Sequence, residues 1–206
     1  KTSLRLNGKV AIVTGASQGI GQVIAQVVAR EGAVTILAAR SGNNLKATSE
    51  MIADAGGESH VTPVDITDEV SVKNLMDETV SRFGTLDILI NNAGVAGPMK
   101  AVEEISAEEW EECFAVNVTG MFLCCKHAIP VMKEKRSGRI VNISSLSGKR
   151  PPVHRSPYTA SKMAVIGLTR TLAFEVGEFG VTVNTVCPGA TEGECIRLVI
   201  ENESKA

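Results

Sequence analysis

The feature that most constrains this chain is a repeated alternation: short apolar runs, each followed by a turn and then by a stretch of helical periodicity. Lys9-Val10-Ala11-Ile12-Val13-Thr14 is the first run, and its unbroken hydrophobicity predicts a strand covered on both faces, as in a parallel sheet. From Ile20 the residues Val23, Ile24, Val27 and Val28 recur at helical spacing, Gly32 stands where a terminating glycine belongs, and Ala33 to Ala39 returns to strand. Strand, glycine turn, helix, strand is a βαβ unit of the kind that binds dinucleotides. The alternation continues with a polar helix from about Asn44 to Ala55, a strand from Ser59 to Val64, a helix from Glu69 to Phe83 and the apolar Leu86 to Ile90. A long helix is predicted over Ala107 to Met132, bending at Asn117 to Gly120 and ending near Pro130. Arg139 to Ile143 reads as strand, Pro157 to Phe179 as helix and Val181 to Val186 as the sixth strand. This is an α/β pattern: a doubly wound parallel sheet with helices on both faces, in one domain, with its ligands beyond the carboxyl ends of the strands.

Charge and composition narrow the function. The 206 residues carry 44% hydrophobic and 21% charged side chains at a net charge of -2, without a basic stripe, which excludes the electrostatic footprint of a nucleic-acid binder. Apolar runs such as Val10 to Val13 or Leu86 to Ile90 fall far short of the roughly 20 residues of a membrane span, and no membrane partner is expected. Lys1 to Gly8 lacks the apolar core of a signal peptide. Cys113, Cys124, Cys125, Cys187 and Cys195 are odd in number and lack metal-ligand spacing, so reduced thiols and a cytoplasmic setting are expected. His60, His127 and His154 are scattered, and no metal site is expected.

The turns after the strands carry the chemistry. Thr14-Gly15-Ala16-Ser17-Gln18-Gly19-Ile20-Gly21 departs from the generic dinucleotide fingerprint in having three residues between its first two glycines. Between a buried strand and an amphipathic helix, its small residues still allow backbone to approach a pyrophosphate at the helix N-terminus. An NAD-selective site places an acidic residue about 20 positions on, whereas an arginine there suits a 2′-phosphate. The second strand ends Ala38-Ala39-Arg40 with no carboxylate adjacent in sequence, so NADP(H) is favoured over NAD(H). Asp65 is a candidate acceptor for an adenine amino group or, with Thr67 and Asp68, a helix cap. Asn91-Asn92-Ala93-Gly94 fits a loop on which a flat cofactor can lie. Tyr158 and Lys162 stand at i and i+4, on one face of a predicted helix, where the ammonium favours the phenolate and makes the hydroxyl a usable acid or base.

Taken together and in this order, the Thr14-to-Gly21 turn, Asp65, Asn91 to Gly94, Asn117, Ser144-Ser145, Tyr158 with Lys162, and Pro188-Gly189 resemble the classical short-chain dehydrogenase/reductase family from Gly8 to about Gly189. The resemblance implies a Rossmann-like sheet and a catalytic tetrad of Asn117, Ser145, Tyr158 and Lys162, with Ser144 competing for the serine role. It implies that Tyr158 exchanges a proton with a carbonyl or alcohol oxygen, that Ser145 hydrogen-bonds that oxygen, and that Lys162 lowers the tyrosine pKa and binds the nicotinamide ribose. Asn117 would hold a water linking Lys162 to solvent. The cofactor residues implied in the same way are Gly15, Ser17, Gln18, Ile20, Arg40, Asp65, Ile66, Asn91, Ala93, Gly94, Tyr158, Lys162, Pro188 and Gly189, with Thr191 a further candidate. Self-association into a dimer or tetramer is also implied, through the long helix and the tyrosine-bearing helix, with Phe122, Leu123 and Leu172 as candidate contacts.

The sequence departs from the family after Pro188-Gly189. Glu192 to Cys195 and Ile196 to Ile200 read as the start of a helix, and the substrate-covering segment and last strand are expected to be absent or incomplete. The loop Lys149-Arg150-Pro151-Pro152-Val153-His154-Arg155 is basic and reads either as a mouth suited to an anionic substrate or as a solvated turn. The function read from the sequence is hydride transfer between NADP(H) and a small carbonyl or alcohol substrate. The alternatives are a catalytically silent dinucleotide-binding redox sensor and an NAD-dependent alcohol dehydrogenase of the same family.

Overall fold

A computed structural model describes residues 4–191. Six strands, β1 (Val10–Thr14), β2 (Val34–Ala39), β3 (Glu58–Pro63), β4 (Ile88–Asn91), β5 (Gly138–Ile143) and β6 (Val181–Val186), form one sheet in the order β3-β2-β1-β4-β5-β6. Every pairing is parallel. The helices are α1 (Gly19–Arg30), α2 (Gly42–Asp54), α3 (Glu69–Phe83), α4 (Ala107–Phe114), α5 (Met121–Glu134) and α6 (Ser156–Val176), with a π-helical turn over Ala115–Gly120 between α4 and α5. This is the doubly wound, Rossmann-like arrangement the alternation predicts.

The continuous apolar runs are explained by the two-residue period of a strand. Val10 and Ile12 of β1 point into one core with Ile36, Leu89 and Ile140, covered by Leu75 and Met76 of α3, Leu123 and Met132 of α5 and Val176 of α6. Ala11 and Val13 point the other way, into a core with Leu37 and Ile90, covered by Ala25 and Val28 of α1 and Leu45 and Ile52 of α2. Both sets must be apolar because neither face meets water. Each fully buried aliphatic side chain contributes roughly 1.5–3 kcal/mol of transfer free energy, and this repeats on both faces along the sheet.

The boundaries differ from the sequence reading in instructive places. Where a bend was expected at Asn117 to Gly120, the long helix carries a π-helical turn over Ala115–Gly120, and it does not end at Pro130: α5 continues to Glu134. Ala128 and Met132 on either side of the proline are fully buried, so packing keeps the last turn despite the lost N–H donor. By length and composition, the run Ala107–Glu134 would suffice to cross a bilayer. Its apolar side chains Leu123, Cys124, Cys125, Ala128 and Met132 instead lie in the core on one face of the sheet. Leu123 is among them and Leu172 packs against the same core, so of the three residues considered for an intersubunit face only Phe122 is exposed. The helical α6 stops at Val176 and Gly177–Phe179 form a tighter 3₁₀ turn. Glu192 to Ile200 lie outside the described residues.

Strand β4 begins at Ile88 because Asp87 is used as an anchor. Its Oδ2 accepts from the Val10 backbone N–H at 2.9 Å, its Oδ1 from Lys135 Nζ, and its backbone bonds Val10 and Arg139, joining the starts of β1, β4 and β5. Burial works against the ionised carboxyl, but the bonds from Lys135 and Val10, helped by Lys9, outweigh it and hold the pKa below the ordinary aspartate value. A depressed carboxylate pKa stabilises the fold above the unfolded-state value of about 3.9, and that contribution disappears as pH falls through the folded value. Replacing Asp87 by Ala is expected to lower unfolding free energy by about 2 kcal/mol at neutral pH, with the difference from the parent shrinking in acid. Urea denaturation at the two pH values checks both.

Candidate active site

The sheet order reverses between β1 and β4, and the two strands' carboxyl ends part there to open a crevice. A small clamp fixes its floor. Thr14 Oγ1 accepts from the backbone N–H groups of Asn92 and Ala93 at 3.0 and 3.1 Å, while Asn92 Nδ2 donates to the carbonyls of Thr14 and Gly15 at 3.1 and 3.2 Å. The cleft above it has a volume of about 770 Å³ and runs along the carboxyl ends of the sheet.

At one end, Gly15, Ser17, Gln18 and Ile20 line the cleft where β1 turns into α1. Gly15 has φ +67°, and a Cβ there would stand 2.8 Å from Ala93 Cα; a Cβ on Gly21 would stand 2.2 Å from the Gly15 carbonyl oxygen. Backbone therefore packs on backbone, which brings the first turn of α1 against the cleft. The helices differ in how these ends are satisfied. Asp68 caps α3 and Ser106 with Glu109 forms a capping box on α4, whereas neither Gln18 before α1 nor Ser41 before α2 makes a side-chain capping bond. Helices α1 and α2, which start at this end of the cleft, thus keep N–H groups and positive dipole ends for an anion.

Arg40, Ser41, Asn44, Val64, Asp65 and Ile66 complete this end. Asp65 is not the cap of α3: its Oδ1 accepts from the Thr67 N–H and hydroxyl at 2.9 and 2.8 Å. Those bonds hold its pKa below the ordinary value, and the positive charge of Arg40 adds to the effect. A carboxylate is therefore close enough to feel Arg40, although none stands beside it in sequence.

At the other end, α6 presents Tyr158 and Lys162 to the cleft, with Ser145, Pro188, Gly189 and Thr191 opposite. Lys162 is 4% exposed, donates from Nζ to the Ile143 carbonyl at 3.1 Å, and places its ammonium 5.6 Å from the centre of the Tyr158 ring. The two serines separate cleanly. Ser144 Oγ is buried and donates to the Lys162 carbonyl at 2.7 Å, fastening the end of β5 to α6; Ser145 Oγ accepts from the Ser147 N–H at 3.1 Å at the cleft wall.

Two expected site residues do not line the cleft. Asn117 is fully buried behind it in the π-helical turn, where Oδ1 accepts from the Val95 N–H at 2.8 Å and Nδ2 donates to the Val95 carbonyl and Ser161 Oγ, each at 3.0 Å. Ser161 Oγ in turn donates to the Tyr158 carbonyl at 2.7 Å. Asn117 therefore ties the Gly94-Val95 loop to α6, and a Cβ on Gly94 would come within 2.9 Å of its Oδ1 and 3.4 Å of Lys162 Nζ. Asn91 turns its side chain into the sheet, donating to Asn142 Oδ1 at 2.9 Å, so only its backbone remains for a cofactor. Its neighbour Asn92 is the one that shapes the cleft. The sequence reading missed this clamp and Ser161, and it named Arg155 only as part of a basic loop. A threonine just before the glycine turn and a second asparagine in the loop were the available signals. Arg155, expected in a basic loop, is 6% exposed, lies against the Tyr158 ring and lines the cleft, as does Arg150 from an exposed position.

Comparison with known proteins agrees with this geometry. Over 195 residues the chain is 42% identical to a Streptomyces violaceoruber protein named as a ketoacyl reductase of the granaticin polyketide synthase, covering 94% of this chain and 71% of that one. An NAD+-bound xylitol dehydrogenase superposes with a TM-score of 0.94 at 32% identity, over 98% of this chain and 78% of the other. A single-site variant of an actinorhodin polyketide ketoreductase, with NADPH, superposes with a TM-score of 0.92 at 38% identity, over 95% and 76%. The sequence model of the short chain dehydrogenase family matches residues 9–203. With its parallel six-stranded sheet, glycine turn and nicotinamide-dinucleotide cleft, the chain belongs to the short-chain dehydrogenase/reductase family, whose members are oxidoreductases acting on alcohol and carbonyl groups.

Proposed function

We propose that this protein is an NADP(H)-dependent oxidoreductase that interconverts a small carbonyl compound and its alcohol, with Tyr158 as the proton donor and acceptor. The observation that carries this reading is the pairing of Tyr158 with the buried ammonium of Lys162 on the wall of a cleft that Ser145 also lines. The residues present fit a dinucleotide: two uncapped helix N-termini meet the cleft, and the close packing of Gly15 and Gly21 leaves backbone rather than side chain at the turn. Bound there, the nicotinamide would supply or accept the hydride.

The chain's own residues handle the proton and the oxygen. In this reading Tyr158 gives its proton to the substrate oxygen during reduction and takes it back during oxidation. The ammonium of Lys162 stabilises the phenolate, and the Ile143 carbonyl holds that ammonium in place. Ser145 Oγ donates to the same substrate oxygen and stabilises charge developing on it. Asn117 fixes the loop at Val95 and, through Ser161, the backbone of Tyr158, so its contribution to the proton path is the placement of both groups. Arg40, with Ser41, Asn44 and the uncapped start of α2, supports a 2′-phosphate and hence NADP(H), the relatives being of both cofactor kinds. The same proposal includes a homo-oligomer packed through the α4–α6 side, which the exposure of Phe122 and Phe174 supports, and a cytoplasmic setting, supported by four unpaired cysteines among the described residues.

Two substitutions test the assignment. Tyr158→Phe is expected to lower kcat/KM by about a hundredfold or more while leaving NADPH affinity nearly unchanged, measured by absorbance of the reduced nicotinamide across a panel of ketones and by fluorescence titration. Turnover preserved in that variant would remove Tyr158 from the chemistry. Arg40→Asp is expected to weaken NADPH relative to NADH by about tenfold or more. Equal weakening of both would defeat the 2′-phosphate reading.

A further inference from the structure

We infer that Arg155 is a second cation set against Tyr158, a positioning residue that works with Lys162 to hold the phenol ready to ionise. The inference rests on the proposed proton-transfer role of Tyr158. Arg155 is the residue immediately before α6, where its side chain folds back over the first turn. Its guanidinium carbon lies 4.6 Å from the centre of the Tyr158 ring, closer than the 5.6 Å of Lys162 Nζ, and Nη2 donates to the Ala96 carbonyl at 3.0 Å, which fixes its orientation.

What makes this contact unusual is the missing counter-charge. Arg155 is 6% exposed, its Nε is buried without a hydrogen-bond partner, and no carboxylate lies within ion-pair distance of it among the described residues. A buried cation ordinarily sits beside an anion, because desolvation is expensive. A carboxylate partner here would cancel the guanidinium's field at the ring. Without one, the field acts on Tyr158: weakly while the ring is a neutral phenol offering only its quadrupole, and more strongly once it carries a negative charge. That difference favours the ionised form.

The other charged or titratable groups around the ring do not supply this effect. Lys162 on α6 is the second cation. From α4 comes Cys113, whose thiol burial holds above its ordinary pKa and therefore neutral, and beyond it Glu109 and Glu112, which line a separate small cavity with Cys113. The loop after β5 brings the exposed Lys149 and Arg150, of which Arg150 lines the cleft. Arg155 is thus the buried cation nearest the ring.

Tyr158 is the single tyrosine of the chain, so its ionisation can be read in the full-length protein from phenolate absorbance in the near ultraviolet, without substrate. The Arg155→Met variant is expected to raise the titration midpoint by roughly one pH unit or more, and Arg155→Lys to restore most of the shift. The limb of the kcat/KM profile governed by Tyr158 should move the same way. Should the Met variant fail to fold, Arg155→Gln against Arg155→Lys makes the same comparison, and equal midpoints in that pair overturn the inference. So does a folded Arg155→Met protein with the parent midpoint, including one whose only defect is a raised KM for anionic ketones, which would make Arg155 a substrate anchor. A Tyr158→Phe protein that still turns over would overturn the proton-transfer reading instead, and leaves the optical result to stand on its own.

Discussion

The site depends first on how β1 is joined to β4. At the point where strand order reverses, the sheet would otherwise offer two frayed ends, each with unpaired backbone groups. Thr14 and Asn92 pair those groups across the gap: one hydroxyl takes two N–H donors, and one amide gives to two carbonyls. The glycine turn, the Ala93-Gly94 loop and the first turn of α1 are all referenced to this clamp. Gly15 and Gly21 pack backbone against backbone there, so a side chain at either position would collide with it.

A second set of bonds places the chemistry against that floor. Asn117 holds Val95 with both ends of its amide and reaches Ser161, Ser161 holds the Tyr158 carbonyl, and Ser144 holds the Lys162 carbonyl. Three elements from distant parts of the chain are thereby locked to α6. A π-helical turn is what brings Asn117 inward: the extra residue per turn re-aims one side chain of an otherwise regular helix. Tyr158 then has two cations of different character within about 6 Å of its ring centre. Lys162 is held by the Ile143 carbonyl, and Arg155 lies over the ring with no acidic partner among the described residues.

The strand–helix alternation and the layer composition were legible in the sequence because they rest on period. Val10 to Val13 had to be apolar throughout to serve two cores, and the spacing of α3 matched its observed limits at Glu69 and Phe83. Pro130 misled because its local cost is smaller than the packing of Ala128 and Met132, which no local pattern expresses. Asn91 and Asn92 look equivalent as letters. A strand's alternation turns the first into the sheet and leaves the second at the crevice, so one residue of register decided which of them shapes the site.

The sequence by itself determined the α/β alternation, the glycine turn, the i and i+4 pairing of Tyr158 with Lys162, and the family to which they belong, since each is a local spacing tied to a local geometry. Only the tertiary structure decided which groups meet. That Ser144 bonds the Lys162 carbonyl while Ser145 bonds the Ser147 N–H, that Asn117 works through Val95 and Ser161, and that a loop arginine is buried on the Tyr158 ring are outcomes of long-range packing. The physical reason is that a side chain's role depends on the polar partners left to it after the core has closed, and those partners come from segments far apart in the chain.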